Sequence, residues 1–308
     1  MQSLQQLVSA ELRHPVTAQV HDFGEYIAAQ YPGAARAVLF YGSCLRTAKL
    51  EDEMLDFYLI VADYDAAYEK PWMAKWNRRL PPNVFPFEYG GLRAKVAVLS
   101  MADFHQLNRG SASTVSVWAR FSQPSRLIWC DDDTDTRHRI VMAVSGAAPT
   151  LLNAALAHMD REMALEELWE AGYALTYSAE LRAERSDRPA SVVSHDPQRY
   201  ETFGRAALHH TAIANELRAD RVFQRDDPEK RIDREKIRWP GLRRRGKMLT
   251  LARLAKATFT YTGGIDYIAW KVSRHSGEDI NVRAWQRRWP ILGAIVMLPK
   301  LLVKGAIR

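Results

Sequence analysis

The stretch from Val38 to Val61, VLFYGSCLRTAKLEDEMLDFYLIV, constrains the fold more than any other part of the chain. It reads as a strand, a Gly-Ser turn and a second strand that carries one carboxylate, Asp56. In LDFYLIV a period of two puts Leu55, Phe57, Leu59 and Val61 on one face and Asp56, Tyr58 and Ile60 on the other. A carboxylate in so apolar a strand needs a partner, because an unpaired buried charge is costly. Gly42 lets backbone approach closely or take a positive φ without a Cβ clash. Ser43 follows with a hydroxyl and an N–H where a helix would begin, and unpaired N–H groups there favour an anion. Two readings stand: a phosphate-holding turn beside a metal-binding Asp56, or a plain turn before a strand whose Asp56 pairs with a buried Arg or Lys.

Magnesium fits the first reading, since it takes oxygen ligands and is bound through one or two carboxylates plus substrate phosphates. There it would neutralise charge on phosphate oxygens during nucleotidyl transfer. A second loaded stretch is LPPNVFPFEYGGLRAKVAVLS, where Gly90 and Gly91 make a tight connection. Arg93 and Lys95 then share one face of the next strand, opposite Leu92, Ala94 and Val96. Two such cations call for anions, and a triphosphate would satisfy them. Glu88 offers a further carboxylate for the metal or, equally, an ion pair with Arg93 across the turn.

The first 130 or so residues alternate helix-like and strand-like segments. A helix is expected over 20–30 and another around 66–77, with strands at 37–41, 54–62, 83–88 and 92–99; such alternation predicts an α/β layer structure. The acidic loop from Asp131 to Asp135 marks a boundary, after which helices dominate. One long helix is expected over 155–184 and another over 201–220, separated by a polar, proline-bearing interruption. Cys44 and Cys130 provide neither a disulfide framework nor zinc spacing and fit a reducing compartment; Cys44 reads as a packing residue. The N-terminus lacks the basic start and apolar run of an export signal, so a cytoplasmic-facing protein is expected.

Charge is uneven along the chain. Residues 229–308 hold 19 Lys and Arg against 6 Asp and Glu, so the formal net charge of +7 conceals a strongly basic end. Arg243, Arg244, Arg245 and Lys247 form one cluster there, and Arg283, Arg287 and Arg288 interleave with Trp285 and Trp289. Aromatics beside cations suit a bilayer interface or a nucleic-acid backbone. The uncharged run from Ile291 to Leu298 favours the bilayer over nucleic acid: it is too short to span a core that needs about 20 apolar residues, and it suits a helix lying in the interface. A C-terminal helix docked on the protein's own core is the alternative.

These motifs, in this order, resemble the mitochondrial-type phosphatidate cytidylyltransferases, the translocator assembly and maintenance family. YGS and LDFYLIV are similar to that family's nucleotidyltransferase turn and metal strand, LPPNVFPFEYGGLRAKVAVLS to its lysine-bearing hairpin, and VWARFSQP to its short arginine loop. The likeness continues through LTYSAELRAE, FGRAALHH and the basic end. It implies a nucleotidyltransferase-like α/β domain (1–130), a mostly helical, winged-helix-like domain (131–256) and a basic amphipathic segment (257–308) that attaches the protein peripherally to the inner face of the cell membrane. The implied reaction is CTP plus phosphatidic acid giving CDP-diacylglycerol and pyrophosphate, with Mg2+. Carried over by position, Ser43, Asp56 and Lys95 would be catalytic. Tyr41, Gly42, Ser43, Arg93, Lys95 and Arg120 would bind nucleotide, and Asp56 with Glu88 the metal. Arg243, Arg244, Arg245, Trp285, Arg287, Arg288 and Trp289 would face an anionic membrane.

Two departures from the family pattern are visible. Tyr58 stands where many nucleotidyltransferases carry a second carboxylate, and Phe121, Ser122 and Gln123 follow Arg120 where a histidine and lysine are expected. An RNA-binding protein that has lost catalysis, and a transferase with a soluble acceptor, therefore remain alternatives.

Overall fold

The computed structural model describes residues 2–50, 53–180, 188–226, 230–260 and 282–283. Two helices open the chain, α1 (Leu4–Leu12) and α2 (Ala18–Ala29). A capping box between Ser3 and Gln6 starts α1, and Val20, Phe23 and Ile27 give α2 one buried side. Strand β1 (Ala35–Tyr41) leads through the short α3 (Ser43–Thr47) into β2 (Met54–Val61). Next come α4 (Tyr64–Ala67), α5 (Pro71–Arg79), and the hairpin of β3 (Asn83–Tyr89) and β4 (Leu92–Ser100). Then α6 (Met101–Leu107) and α7 (Trp118–Phe121) precede β5 (Ser125–Cys130).

These strands form one mixed five-stranded sheet in the order β3-β4-β2-β1-β5. β2 is central, antiparallel to β1 and parallel to β4. Its alternation is realised as the sequence predicts: Leu55, Phe57, Leu59 and Val61 pack beneath α2 with Val38, Phe40, Val96 and Val98. Tyr58 and Ile60 face the other way, into a cluster shared with the later helices. Gly24 lets α2 lie close on β5, since a Cβ there would sit 2.4 Å from Ile128 Cδ1.

The helical part comprises α8 (Thr134–Ser145), α9 (Ala147–His158), α10 (Leu165–Ala179), α11 (Arg188–Ser194), α12 (Pro197–Leu208) and α13 (Arg231–Thr260). By composition the span Asp135–His158 is apolar enough to cross a membrane, but 78% of its most apolar window is buried within the protein, where it serves as core. Three short strands interrupt the helices: β6 (Glu162–Ala164), β7 (Asn215–Arg218) and β8 (Arg221–Gln224), in the order β6-β8-β7.

Those strands correct two expectations. The helix expected over 155–184 breaks where Met159 adopts extended backbone and Glu162–Ala164 pairs with β8, so tertiary pairing overrides local helix propensity. The helix expected over 201–220 stops at Leu208, whose carbonyl takes hydrogen bonds from the Thr211 hydroxyl and the Asn215 amide. The single helix expected around 66–77 is two, α4 and α5, the second opening on Pro71.

Candidate active site

β1 ends at Tyr41, whose register partner on β2 is Asp56; the partner of Asp56 on β4 is Lys95. One row across three strands therefore presents Tyr41, Asp56 and Lys95 on a single face. The turn after Tyr41 closes the row. Gly42 has φ 97 and ψ −162, a region open essentially to glycine alone. A Cβ there would lie 2.8 Å from Asp56 Oδ2, so the bare backbone of the turn rests against the carboxylate. The Gly-Ser bend and the acidic strand, separate in sequence, are one site.

Lys95 Nζ lies 3.0 Å from Asp56 Oδ1, with the side chains 27% and 23% exposed. Asp56 thus adjoins the turn and is also paired with a partly exposed lysine. The pair remains accessible to solvent, unlike a closed structural ion pair. Arg120 arrives from α7 on the same side. It donates a hydrogen bond to the Ser116 carbonyl and stands 4.0 Å from Glu180 Oε1. Burial pulls its pKa down, but Tyr58, Glu180, Tyr41 and Asp56 together outweigh this and push it above the ordinary value, so it stays cationic. The Tyr41 hydroxyl is pushed well up by burial and by Asp56 and Tyr58, against the lowering effect of Arg120. It remains a neutral hydrogen-bond donor. Tyr58 is raised chiefly by burial, and supplies a neutral phenol two residues beyond Asp56. Tyr41 and Tyr58 pack with ring centroids 5.2 Å apart, and Phe121 lies under both.

Ser43 begins α3, whose place is fixed by the helices beside it. Arg46 Nη1 donates to Gln123 Oε1 at 2.8 Å, Gln123 Nε2 to the Ala119 carbonyl at 3.1 Å, and His195 Nε2 lies 2.9 Å from the Arg46 carbonyl. Gln123 therefore ties the Gly-Ser turn to the helix that carries Arg120. Cys44 is 3% exposed, and burial, Asp56 and Glu53 all push its thiol up, in keeping with a packing role.

Glu88 stands apart from this group. It is exposed on edge strand β3 opposite Arg93, two strands away from Asp56 and two residues along. Strand spacing makes that roughly 12 Å, too far for one ion to bridge. Arg93, exposed at the outer end of β4, shares the face with Asp56 but lies about 7 Å further along. Arg243, Arg244 and Arg245 are exposed on α13, and Trp285, Arg287, Arg288 and Trp289 lie outside the described residues.

A hard, half-open carboxylate with no imidazole or thiolate in its row suits Mg2+ as one ligand, substrate phosphates and water supplying the others. Among the described residues the only group of three metal-ligating side chains is His21, Asp22 and Glu25, exposed on α2 and away from this row.

Glu180, Ser116 and Arg253 carry no sequence signal. Glu180, 6% exposed at the end of α10, accepts a hydrogen bond from the Ser116 hydroxyl and adds negative charge beside Arg120. Arg253 of α13 donates to Ser116 Oγ at 2.7 Å and to the Pro81 carbonyl at 2.8 Å. These groups come from distant positions and meet only in the folded chain. No family profile matches the chain, and no curated protein matches it.

Proposed function

We propose that the chain is a magnesium-dependent nucleotidyltransferase that converts CTP and phosphatidic acid to CDP-diacylglycerol and pyrophosphate, working peripherally on the inner face of the cell membrane. The observation that carries this reading is the contact of Gly42 backbone with the Asp56 carboxylate, with Lys95 and Arg120 converging on the same spot. A strand, a Gly-Ser turn, a short helix and an antiparallel strand with its acid beside the turn are what a nucleotidyltransferase-like fold requires. The order α9, β6, α10, α11, α12, β7, β8 with strand order β6-β8-β7 is compatible with a winged helix carrying one additional helix, α11, and supports the second half of the family resemblance. The choice of CTP and of the lipid acceptor rests on that resemblance.

In this reading Gly42 and Ser43 receive the triphosphate, and Asp56 would hold the metal, which when bound would neutralise charge on the phosphate oxygens. An oxygen of the phosphatidate phosphate attacks the α-phosphorus of CTP while the bond to pyrophosphate breaks. The nucleophile is already anionic, so no general base is needed, and positioning with charge neutralisation supplies the rate. Lys95 and Arg120 are cations suited to that task, and Tyr41 donates a hydrogen bond at the pocket wall.

The test is product formation by purified protein with each α-labelled nucleoside triphosphate, Mg2+ and phosphatidate vesicles, for wild type and Asp56→Ala. Labelled lipid from CTP with wild type alone is expected. Lipid product from the variant at the wild-type rate would remove the metal assignment, and none from wild type with any nucleotide would remove the reaction. Tyr58, in place of a second carboxylate, favours one alternative, a binding protein without catalysis. It would show RNA binding with no turnover in the same preparation.

A further inference from the structure

α13 has two sides with different surroundings. At roughly 100° per residue, Trp239, Leu242, Gly246, Arg253 and Lys256 fall along one side, and that side is packed. Trp239 and Leu242 are each 6% exposed and Lys256 9%. A Cβ on Gly246 would come 2.2 Å from the Ala179 carbonyl, so α13 lies directly against the end of α10. Ile237, Arg244, Met248 and Leu251 fall on the opposite side. Ile237 is 79% exposed, Met248 71% and Leu251 37%. They form a line about 21 Å long at 1.5 Å per residue. Arg243 and Lys247 border it on one flank, and Arg234 and Arg245 on the other. The helix as a whole carries ten Lys and Arg against two carboxylates.

We infer that this outer side of α13 docks on an anionic phospholipid bilayer, with Ile237, Met248 and Leu251 entering the acyl boundary and the bordering cations meeting lipid phosphates. Three exposed apolar side chains interrupted by Arg244 and flanked on both sides by positive charge are the pattern of a helix lying in a membrane interface. Nucleic acid would match the arginines, but single strands are held by aromatic stacking as well. The outer line has no ring, and Trp239 is turned inward. The docking deepens the proposed function and rests on that reading only in placing lipid substrate in the same membrane. It also sets an orientation. One helix thickness, about 10 Å, separates the bilayer from Arg253, and through Ser116 from Glu180 and Arg120.

The experiment is co-sedimentation of the full-length chain with zwitterionic vesicles, and with vesicles containing phosphatidic acid or phosphatidylglycerol. Wild type is expected to bind the anionic vesicles. Ile237→Glu/Met248→Glu should weaken that binding at least about tenfold, and Arg243→Gln/Arg244→Gln/Arg245→Gln roughly a hundredfold at low salt. Trp72→Ser/Trp76→Ser, which alters the exposed tryptophans of α5, serves as the control and should bind as wild type does. All substituted positions are exposed, so urea midpoints should match wild type. The double glutamate variant should still turn over short-chain phosphatidate dispersed in water. Unchanged vesicle binding by that variant, or loss on the tryptophan variant instead, would overturn the assignment, as would arginine-dependent binding to structured RNA with none to vesicles. If wild type binds vesicles but makes no CDP-lipid, the reaction fails and the docking surface stands.

Discussion

Replacing Gly42 by alanine isolates the contact on which the site depends. Two penalties are expected. Holding alanine at φ 97 and ψ −162 costs about 1–3 kcal/mol. The new methyl would also stand 2.8 Å from Asp56 Oδ2 and 3.3 Å from its Cβ, so the carboxylate must move. In a chain of this size about 2 kcal/mol lowers the apparent Tm by roughly 2–5 °C. Displacing a reacting group by an ångström costs on the order of a hundredfold in rate. Gly33→Ala is the control: its φ is also positive, at 74, but no atom lies within 4 Å of the added Cβ. That variant should lose stability modestly and keep full turnover. Thermal melts and turnover of Gly42→Ala, Asp56→Ala and the double variant complete a cycle. Removing the carboxylate should relieve the clash but not the strain, leaving a coupling of about 1 kcal/mol. If Gly42→Ala melts and turns over as Gly33→Ala does, and the cycle is additive, the turn does not position Asp56 and the reasoning fails.

Other outcomes follow from groups beyond the turn. Arg199 and Glu11 form a buried ion pair between α12 and α1, with side chains 7% and 9% exposed and the guanidinium also bonded to the Ser122 carbonyl. Glu11→Ala should therefore cost about 3–5 kcal/mol in urea unfolding, because it strands a buried cation; a loss under 1 kcal/mol would contradict this. Burial, with Arg253 nearby, pulls the Lys256 amine down to about 7. The unfolded chain keeps that proton to about pH 10.4, so the unfolded state binds more protons between the two values. Stability should rise with pH across that window, by up to about 1.4 kcal/mol per unit, and the burial penalty should be full below pH 7. Urea midpoints of wild type should accordingly gain on those of Lys256→Met from pH 7 to 10, and parallel profiles would refute the assignment.

Four strands of the large sheet, β1 to β4, were legible because their apolar runs are punctuated by Gly42, Gly90, Gly91 and proline, whereas β5, SRLIWC, was not expected. Asp56 was legible for the same reason: an acid in LDFYLIV contradicts its surroundings. The small sheet was not, since NELR and RVFQ are short and polar and turn at Ala219, with φ 54, where glycine or asparagine would have announced the bend. Glu162–Ala164 lies within a helix-favouring run and becomes a strand only when β8 is beside it. Glu88 misled because adjacency to the glycines hid the strand, β4, that lies between it and Asp56. Glu180 and Arg253 are ordinary charged residues in helical sequence, and only their shared contact with Ser116 sets them apart.

The joint between α13 and the segment ahead of β3 is built on main chain. Lys256 and Arg253 bind three successive carbonyls, those of Leu80, Pro81 and Pro82. Such a rivet is sensitive to any sliding of the helix. A load applied to the outside of α13 is consequently passed to the first residues of β3, and through the β3–β4 ladder to the strand that carries Lys95.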